Sequence, residues 1–337
     1  MTKIAYNVCV LTVTYGKRWA FLKQILDRVL SFKNVVDIIV VDNASDYNLR
    51  SKINALGAST ISLLQQTENI GSAGGYQVGL SHFVAHSPAD FVWLLDDDNL
   101  PEEDALEQLM SAWPTIPLAE DKKALFSLRT DRKNHVRVAR GADPHRYYLV
   151  PDNFMGFHLF RILSNQYRKL KEKQNRHRAT PLLPAKLPYV PYGGLYMHKS
   201  LLQLIGYPDE RLFVYVDDSE YTFRITDHGG EIWLIPASQI KDVDTSQGIH
   251  YKNRLWRSAI LDLWNFRTFY QVRNRLYFYS RHAIKNRLIF AINKWLYMTG
   301  HYFISILTGK GAAYKEFKQA VADGLAGRLG KKKDLIN

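Results

Sequence analysis

The chain has 337 residues, of which 46% are apolar, and its 45 lysine and arginine residues exceed its 32 acidic residues by 13. This apolar content excludes a wholly disordered chain and suits one large domain with an extension. The single cysteine, Cys9, lies in an apolar run. An intrachain disulfide is therefore excluded, which fits a reducing compartment.

In chain order, the first 128 residues alternate between short apolar runs and stretches with helical spacing. The runs are Val8–Val13, Ile38–Val41, Ile61–Leu64, Phe91–Leu95 and Ala124–Leu128. Helical spacing occupies Arg18–Leu30, the stretch after Gly74-Gly75, and Glu102–Met110, which Pro101 opens. This alternation predicts an α/β domain with a mostly parallel sheet flanked by helices.

Beyond residue 128 the pattern is less regular. Residues of about 155–187 are predicted to form a mobile basic insertion, and order returns at Tyr189–Tyr196. A helix then opens at Asp217, and a strand Glu231–Ile235 ends at Pro236. We expect a catalytic domain over residues 1–245 and a helical, basic, aromatic extension over residues 246–337. The extension holds 17 basic and 4 acidic residues, which accounts for the whole charge excess.

Carboxylates follow two of the predicted strands. Asp42 comes directly after one apolar run, and Asp96-Asp97-Asp98 follows another. Because ligands of parallel sheets bind at the carboxyl ends of strands, we expect these residues to share one edge. Their hard oxygens suit Mg²⁺ or Mn²⁺. An acidic turn that caps the next helix, and an Asx turn at Asp42, are the structural alternatives.

Two further segments allow either a functional or a structural interpretation. Gly71, Gly74 and Gly75 precede a helix and would let the backbone approach a phosphate or sugar, or would simply form a tight turn. Asp217-Asp218-Ser219-Glu220 opens a helix, where acids complement the helix dipole. A carboxylate at this position could also act as a general base toward a hydroxyl.

The succession of these motifs resembles family 2 glycosyltransferases with the GT-A fold, over residues of about 6–280. The matching elements are Thr12-Val13-Thr14-Tyr15, Val40-Val41-Asp42-Asn43, Asn69 with Gly71, Gly74 and Gly75, Leu95-Asp96-Asp97-Asp98 with Pro101, Gly193-Gly194 and Asp217-Asp218 with Glu220. The glycine pair and the triple aspartate are most similar to bacterial galactofuranosyltransferases. Phe269-Tyr270 with Arg273-Asn274 is similar to a helix of galactofuranosyl- and rhamnosyltransferases.

The resemblance implies a role for each matched position. Asp218 would be the catalytic base of an inverting transfer, and Asp96 and Asp98 would ligate the metal. Acceptor binding would fall to Gly193, Gly194, Asp217 and Glu220. The UDP-sugar donor would be bound by Thr14, Tyr15, Asp42, Gly71, Gly74, Gly75, Asp96 and Asp97.

The chain departs from the family at the expected metal-binding histidine. Lys241 stands close to that position, and a charged lysine cannot ligate a metal, although it could neutralise a diphosphate. His250 lies nine residues later and is the candidate third ligand, after Asp96 and Asp98.

The expected function is therefore transfer of galactofuranose from UDP-galactofuranose to a hydroxyl of a cell-surface glycan, such as an O antigen, or of its lipid-linked precursor. The alternatives are a rhamnosyltransferase using dTDP-rhamnose and a non-catalytic glycan-assembly protein. A nucleotidyltransferase would need more glycine after the first strand than Tyr15-Gly16-Lys17-Arg18 supplies.

Residues 254–307 combine basic and aromatic side chains, and no run of 18 apolar residues occurs. We expect helices that lie on an anionic membrane surface, with a cap on the catalytic domain or a homo-oligomer interface as alternatives. No nucleic-acid-binding motif accompanies the charge, so nucleic acid is not an expected partner. The predicted location is cytoplasmic, peripheral on the inner membrane.

Overall fold

The computed structural model describes residues 6–174, 180–244, 251, 254 and 256–332. The chain forms two compact units. The first comprises Met1–Pro144, Leu182–Phe213 and Asp217–Gly248. The second comprises His145–Pro181, Val214–Val216 and Ile249–Asn337. This division differs from the expected one because residues 145–181 and 214–216 join the C-terminal helices.

The first unit is built on one sheet that contains nine strands within the described residues. They are β1 (Val8–Gly16), β2 (Val35–Ser45), β3 (Ile61–Gln65), β4 (Phe91–Asp96), β5 (Asn99–Pro101), β6 (Lys123–Arg129), β7 (Ala185–Leu187), β8 (Leu195–His198) and β9 (Glu231–Asp242). Their order is β3-β2-β1-β4-β8-β6-β9-β5, with β7 also paired to β9. The long ladders among β1, β2, β3 and β4 and between β6 and β9 are parallel. The pairs that involve β5, β7 and β8 are antiparallel.

Twelve α-helices accompany the strands in the described part of the chain. They are α1 (Trp19–Leu30), α2 (Leu49–Asn54), α3 (Gly71–His86), α4 (Ala105–Ala112), α5 (Lys133–Ala139), α6 (Ile162–Gln174), α7 (Lys199–Ile205), α8 (Asp217–Asp227), α9 (Ala259–Asp262), α10 (Phe266–His282), α11 (Arg287–Thr308) and α12 (Gly311–Ala326). Of these, α6 and α9 to α12 belong to the second unit. The α/β class with a mostly parallel sheet and a helical extension is confirmed.

The core of the first unit lies around β1, β2 and β4. Helix α1 contributes Leu22, Ile25, Leu26 and Val29, which are fully buried and follow the i, i+3, i+4, i+7 spacing of one helical face. The strands β1, β2 and β4 are buried along most of their length. Strands covered on both sides form continuous apolar runs, which explains why the sequence pattern predicted them.

Two prolines have roles that differ from the sequence prediction. Pro101 ends β5 instead of opening a helix, and α4 begins at Ala105. Pro236 does not end the last strand, because β9 continues to Asp242. The ladder between β6 and β9 is irregular there, with Ser127 opposite Ile235 and Leu128 opposite Gln239. Since proline cannot donate to a ladder, a bulge accommodates it and pairing resumes beyond it.

The segment expected to be a basic insertion contains regular structure. Helix α6 covers residues 162–174, and β7 pairs with β9 at the end of the segment. Within the second unit, residues 152–159 are fixed to α11, since Asn293 donates to the carbonyl of Asp152 (2.8 Å) and accepts from the amide of Leu159 (2.9 Å). Helix α12 packs against α10 and α11. None of the described helices has the length and apolar content needed to span a membrane.

Candidate active site

The carboxylates of Asp96, Asp97 and Asp98 differ in their access to solvent. Asp96 ends β4 and the other two follow it, and their side chains are 39%, 4% and 17% exposed, respectively. Asp97 points inward, where it accepts hydrogen bonds from the Thr14 hydroxyl (2.7 Å) and from Nε of Arg18 (2.8 Å). Burial raises the pKa of Asp97 to about 7, while the Arg18 charge opposes the rise. Thr14 and Asp97 therefore support the turn, and Asp96 is the most accessible of the three carboxylates.

One guanidinium ties three carboxylates together. Arg18, directly before α1, contacts Asp97 through Nε, Asp98 through Nη2 (2.6 Å) and Asp244 through Nη1 (2.8 Å). Arg18 and Asp244 are themselves buried. A guanidinium suits this position because its five donors lie in a fixed planar fork. Arg18 therefore fixes the geometry of the aspartate turn from the opposite side of the sheet edge.

A second guanidinium lies on the other side of Asp96. Arg129, at the end of β6, is 3.6 Å from Asp96 and forms an ion pair with Asp242 at the end of β9. The side chain of Asn99 links the two groups of carboxylates, since it donates to Asp98 (3.1 Å) and to Asp242 (2.9 Å). The predicted set contained none of Arg18, Arg129, Asp242 and Asp244.

The bulge in β9 explains why Asp242 and Asp244 were missed. The sequence prediction ended this strand at Pro236, which placed both residues outside the sheet. In the structure, Asp242 is the last residue of β9, and Asp244 lies two residues beyond it, where it accepts from Arg18. Lys241 alternates with Asp242 and points elsewhere, where it pairs with Glu102 (3.2 Å) on the surface. Lys241 is thus not brought to the carboxylates as the sequence suggested. His250, the candidate third metal ligand, lies outside the described residues.

Six carboxylates are concentrated in this region. Within the described part of the chain, Asp96, Asp97, Asp98, Asp131, Asp242 and Asp244 form ion pairs with Arg18, Arg129 and Arg132. Burial raises the pKa of Asp98, and the charge of Asp96 adds to this rise. A nearby divalent cation would relieve the excess of negative charge, and carboxylate oxygens are suitable ligands for Mg²⁺ or Mn²⁺.

The described side chains nevertheless offer a metal only part of its ligand set. Both oxygens of Asp98 already accept hydrogen bonds, one from Arg18 and one from Asn99. Within residues 6–174 and 180–244 and the described residues beyond, no three His, Cys, Asp or Glu side chains come together as a metal-binding group. A metal at this turn would therefore rely on Asp96, on Asp98 after the loss of one of these hydrogen bonds, and on ligands that a substrate supplies.

The pair Asp217-Asp218 opens α8 after a turn with unusual backbone angles. Phe213, Tyr215 and Val216 have φ values of 66°, 63° and 65°, in the left-handed region that non-glycine residues rarely adopt. Such conformations are costly, and they concentrate at functional sites. In the second unit, Asn274 of α10 donates to the carbonyls of Val214 and Tyr215 (both 2.9 Å). The motif around Asn274 therefore holds part of this turn.

The two carboxyl groups of this pair have different environments. Asp217 is buried and accepts a hydrogen bond from Ser72 (2.7 Å), and burial together with the Asp218 charge raises its pKa to about 8. Burial also raises the pKa of Asp218, to about 6, but the amide of Ser219 (2.6 Å) stabilises its ionised form. Burial and the Asp218 charge therefore favour the proton on Asp217, and the Ser219 amide favours the charge on Asp218.

The glycines after Asn69 belong to α3 and are explained mainly by packing. Gly71 has a φ of +78°, and a Cβ atom there would lie 2.0 Å from the carbonyl oxygen of Phe213. A Cβ on Gly75 would lie 2.6 Å from Cγ1 of Val13 in β1. A Cβ on Gly74 would lie 3.0 Å from Ile70. Close approach of α3 to the sheet and to the turn before α8 therefore requires Gly71 and Gly75.

The first two strands place polar groups at the same edge. Asp42 is buried and accepts from the amide of Ser45 (2.8 Å), three residues along the chain, so its carboxylate stabilises the backbone at the end of β2. Asn43 donates to the carbonyl of Gly71 (3.0 Å) and accepts from the amide of Ile70 (2.8 Å), so it fixes the start of α3. The Tyr15 ring is 37% exposed, and the Arg18 guanidinium lies 5.5 Å from its centre.

Comparison with known proteins finds a related family. Residues 9–159 match the model described as glycosyl transferase family 2. This segment of the chain is therefore similar to family 2 glycosyltransferase domains. It is 28% identical over 224 residues to the galactofuranosyltransferase GlfT1 of Mycolicibacterium smegmatis, covering 66% of each chain. The chain thus spans just under two thirds of this relative's length.

Solved structures show which fold the chain shares. The mannosyltransferase PcManGT from Pyrobaculum calidifontis, in complex with GDP-Man and Mn²⁺, aligns with a TM-score of 0.52 at 16% identity, covering 95% of this chain and 75% of that one. S. aureus TarS 1-349, in complex with UDP-GlcNAc, aligns with a TM-score of 0.51 at 12% identity, covering 94% and 80%. At these identities the similarity establishes the GT-A fold.

Three other expected site positions have different outcomes. Gly193 lies directly beside the aspartate turn, since a Cβ there would be 2.5 Å from Oδ2 of Asp96 and 1.8 Å from Oδ1 of Asn99. Gly194 has a φ of +111° and donates to the carbonyl of Leu94 (2.8 Å). Glu220 instead pairs with Arg224 (2.6 Å) one turn along α8, so this carboxylate is engaged within its own helix.

Proposed function

We propose that the protein is an inverting glycosyltransferase that moves galactofuranose from UDP-galactofuranose to a hydroxyl of a cell-surface glycan or its lipid-linked precursor. The similarity to galactofuranosyltransferase GlfT1 supports this donor sugar. Rhamnose from dTDP-rhamnose is the alternative, which the motif at Phe269–Asn274 also fits.

The observation that carries the proposal is the state of the Asp217-Asp218 pair. A base must be ionised at the working pH and must have an oxygen free to accept a proton. Asp218 meets both conditions, because its pKa of about 6 leaves it ionised at neutral pH, and the described residues donate hydrogen bonds only to its Oδ1 atom. Its Oδ2 atom is the proposed proton acceptor.

The proposed reaction is a single displacement. The acceptor hydroxyl gives its proton to Asp218 while its oxygen forms a bond to the anomeric carbon of the sugar. The bond between that carbon and the UDP oxygen breaks, and UDP leaves with the electron pair. Attack and departure occur on opposite faces, so the configuration inverts. Asp217, protonated and held by Ser72, keeps the pair at one net charge.

The charge that develops on UDP needs fixed positive partners. Arg18 and Arg129 flank Asp96 and Asp98, where the diphosphate would lie, and their orientation is set by ion pairs before any substrate arrives. Preorganised cations of this kind stabilise a leaving diphosphate. A divalent ion held by Asp96 and Asp98, with His250 as a possible further ligand, would add Lewis-acid stabilisation of the same charge.

The nucleotide is proposed to bind along the ends of β1 and β2. The exposed ring of Tyr15 would pack against the base, and Asp42 would accept from the uracil or ribose. Thr14 and Asp97 would act through the turn that they stabilise. Gly71, Gly74 and Gly75 would bring the start of α3 close to the donor sugar. The acceptor would bind beside Gly193, Gly194 and Asp217, with Glu220 holding α8.

The remaining partners are proposed from charge. The basic extension over residues 246–337 would rest on an anionic membrane surface at the cytoplasmic face of the inner membrane, where a lipid-linked acceptor is available. An oligomer built through the extension is the alternative. Nucleic acid is not a proposed partner.

Release of nucleotide diphosphate from a panel of donors tests the proposal. We expect turnover with UDP-galactofuranose that increases with Mn²⁺, and little with UDP-glucose, UDP-galactopyranose or dTDP-rhamnose. Turnover with dTDP-rhamnose alone would instead identify a rhamnosyltransferase. Absence of turnover with every donor and a glycan acceptor, in a protein that still binds UDP, would indicate a non-catalytic assembly protein.

A further inference from the structure

Helix α6 presents an apolar stripe that no other described part of the chain covers. Phe160 in the turn before the helix, and Leu163, Tyr167 and Leu170 within it, are 64%, 84%, 67% and 63% exposed. Their spacing places them on one face of the helix. Arg161, Ser164 and Arg168 lie toward the opposite face. Such a stripe of large, exposed apolar side chains marks an interaction surface.

The start of α6 is held firmly within the second unit. Asn293 of α11 is fully buried and bonds to the backbone of Asp152 and Leu159, and the Asp152 carboxylate accepts from the amides of Lys285 and Asn286 (both 2.7 Å). Phe154 packs against Phe290 and Tyr297 of α11. The stripe therefore emerges from an ordered attachment.

The charge of the helix selects the kind of partner. Residues 161–174 contain five basic residues and one acid, Glu172. A second copy of this helix would bring like charges together, which is unfavourable. A nucleic acid would satisfy the charges but would leave the leucine, phenylalanine and tyrosine side chains in water. An anionic bilayer satisfies both, since acyl chains receive the apolar face and headgroups receive the bases.

We infer that α6 is an in-plane membrane helix, which inserts Phe160, Leu163, Tyr167 and Leu170 into the interface of a bilayer that contains anionic lipid. The inference extends the membrane association proposed for residues 246–337 to a helix far from them in sequence. It does not require that glycosyl transfer takes place. Helix α11 offers a similar outward stripe in Leu288, Trp295, Tyr302 and Ile306, all exposed, and contains no acidic residue.

Co-sedimentation of the full chain with lipid vesicles tests this inference. We expect binding to vesicles of phosphatidylcholine with phosphatidylglycerol, weaker binding to phosphatidylcholine alone, and a decrease with added salt. The stripe variant Leu163→Ser with Tyr167→Ser is expected to lose about tenfold or more in partitioning, because two large apolar groups no longer leave water. The matched variant Ser164→Ala with Asn165→Ser, on the same turns of the helix, is expected to bind like the wild type.

Two further measurements separate this inference from its competitors. Hydrogen exchange at residues 159–170 of the wild type should slow when the mixed vesicles are added, a readout that needs no variant. Donor turnover by the stripe variant without lipid should be unchanged, so a failure of the transfer proposal would leave this test intact. Equal vesicle binding by the stripe and wild-type proteins would overturn the inference. So would a wild-type dimer that the stripe variant converts to monomer, or stripe-dependent binding to RNA in place of vesicles.

Discussion

At the scale of single residues, Asp217 and Asp218 are adjacent in sequence but differ in protonation. Complete burial favours the neutral form of Asp217, whereas the Ser219 amide favours the ionised form of Asp218. Because the two groups interact, they titrate as a pair, and burial raises the pKa of both carboxyl groups, more strongly that of Asp217. Ionisation of Asp218 creates the base.

Substitution of each aspartate by asparagine separates their roles. Asp218→Asn removes the base, and we expect kcat to fall on the order of 10³-fold, within the range known for loss of a general base. Asp217→Asn resembles the protonated form already present, and Asn can still accept from Ser72, so we expect kcat within about tenfold of wild type. UDP affinity, measured by calorimetry, should be unchanged in both.

The pH dependence of kcat/KM gives an independent measurement. The base works only when ionised, so activity should fall about tenfold per pH unit below about pH 6 and should level off above it. The same limb should persist in Asp217→Asn. If Asp217→Asn were as inactive as Asp218→Asn, the charge of Asp217 would be required and the assignment would be wrong.

At the scale of elements, α3 lies so close to β1 that Gly75 has no room for a side chain. The neighbour is Val13, whose branched side chain has little rotamer freedom with which to move away. The sequence interpretation gave Gly75 the role of making room for the donor sugar. Packing against Val13 is enough to explain why residue 75 is glycine. The packing role and the role in sugar binding predict different effects of substitution.

The variant Gly75→Ala should lower stability by about 1–3 kcal/mol, the usual cost of overpacking. The melting temperature should fall by several degrees, and Val13→Ala in the same chain should restore part of the loss. If the glycine serves packing alone, the KM for the donor will stay close to the wild-type value in the double variant. A raised KM that Val13→Ala does not correct would show that the donor sugar needs this space.

At the scale of the whole molecule, the fold could be predicted from sequence wherever burial leaves a local pattern. Strands β1, β2 and β4 are covered on both faces, so they form apolar runs. The carboxylates at the ends of β2 and β4 were predicted from their position after such runs. The charge asymmetry was equally visible, since it depends only on composition. The mostly parallel sheet and the basic helical extension followed from these two patterns.

The parts of the site that the sequence did not predict depend on contacts between distant residues. In the sequence, nothing distinguishes Arg18 from the other basic residues. Its role depends on the fold, because β4 and the end of β9 bring Asp97, Asp98 and Asp244 to it. Asp242 was hidden because a bulge carries β9 past Pro236, and neither propensity nor periodicity describes a bulge. The protonation of Asp217 likewise depends on burial, which the sequence alone does not supply.

The order of strands in the sheet has a consequence for synthesis of the chain. Strand β8 lies between β4 and β6, although it follows both in sequence, and the contact between Arg18 and Asp244 spans 226 residues. A ribosome must therefore release the chain through β8, which ends at His198, before β4 and β6 can belong to one continuous sheet. The nascent chain holds β4 and β6 with unpaired edges until then, and such edges favour aggregation.

A fragment that ends at residue 159 should consequently lack cooperative thermal unfolding, even though it contains the whole segment that matches the family model. The full chain should unfold cooperatively under the same conditions, as followed by circular dichroism. A fragment with a sharp transition would show that β4 and β6 can be accommodated without β8. On this prediction, the segment that matches the family model is shorter than the segment that can fold alone, and heterologous production would need the longer one.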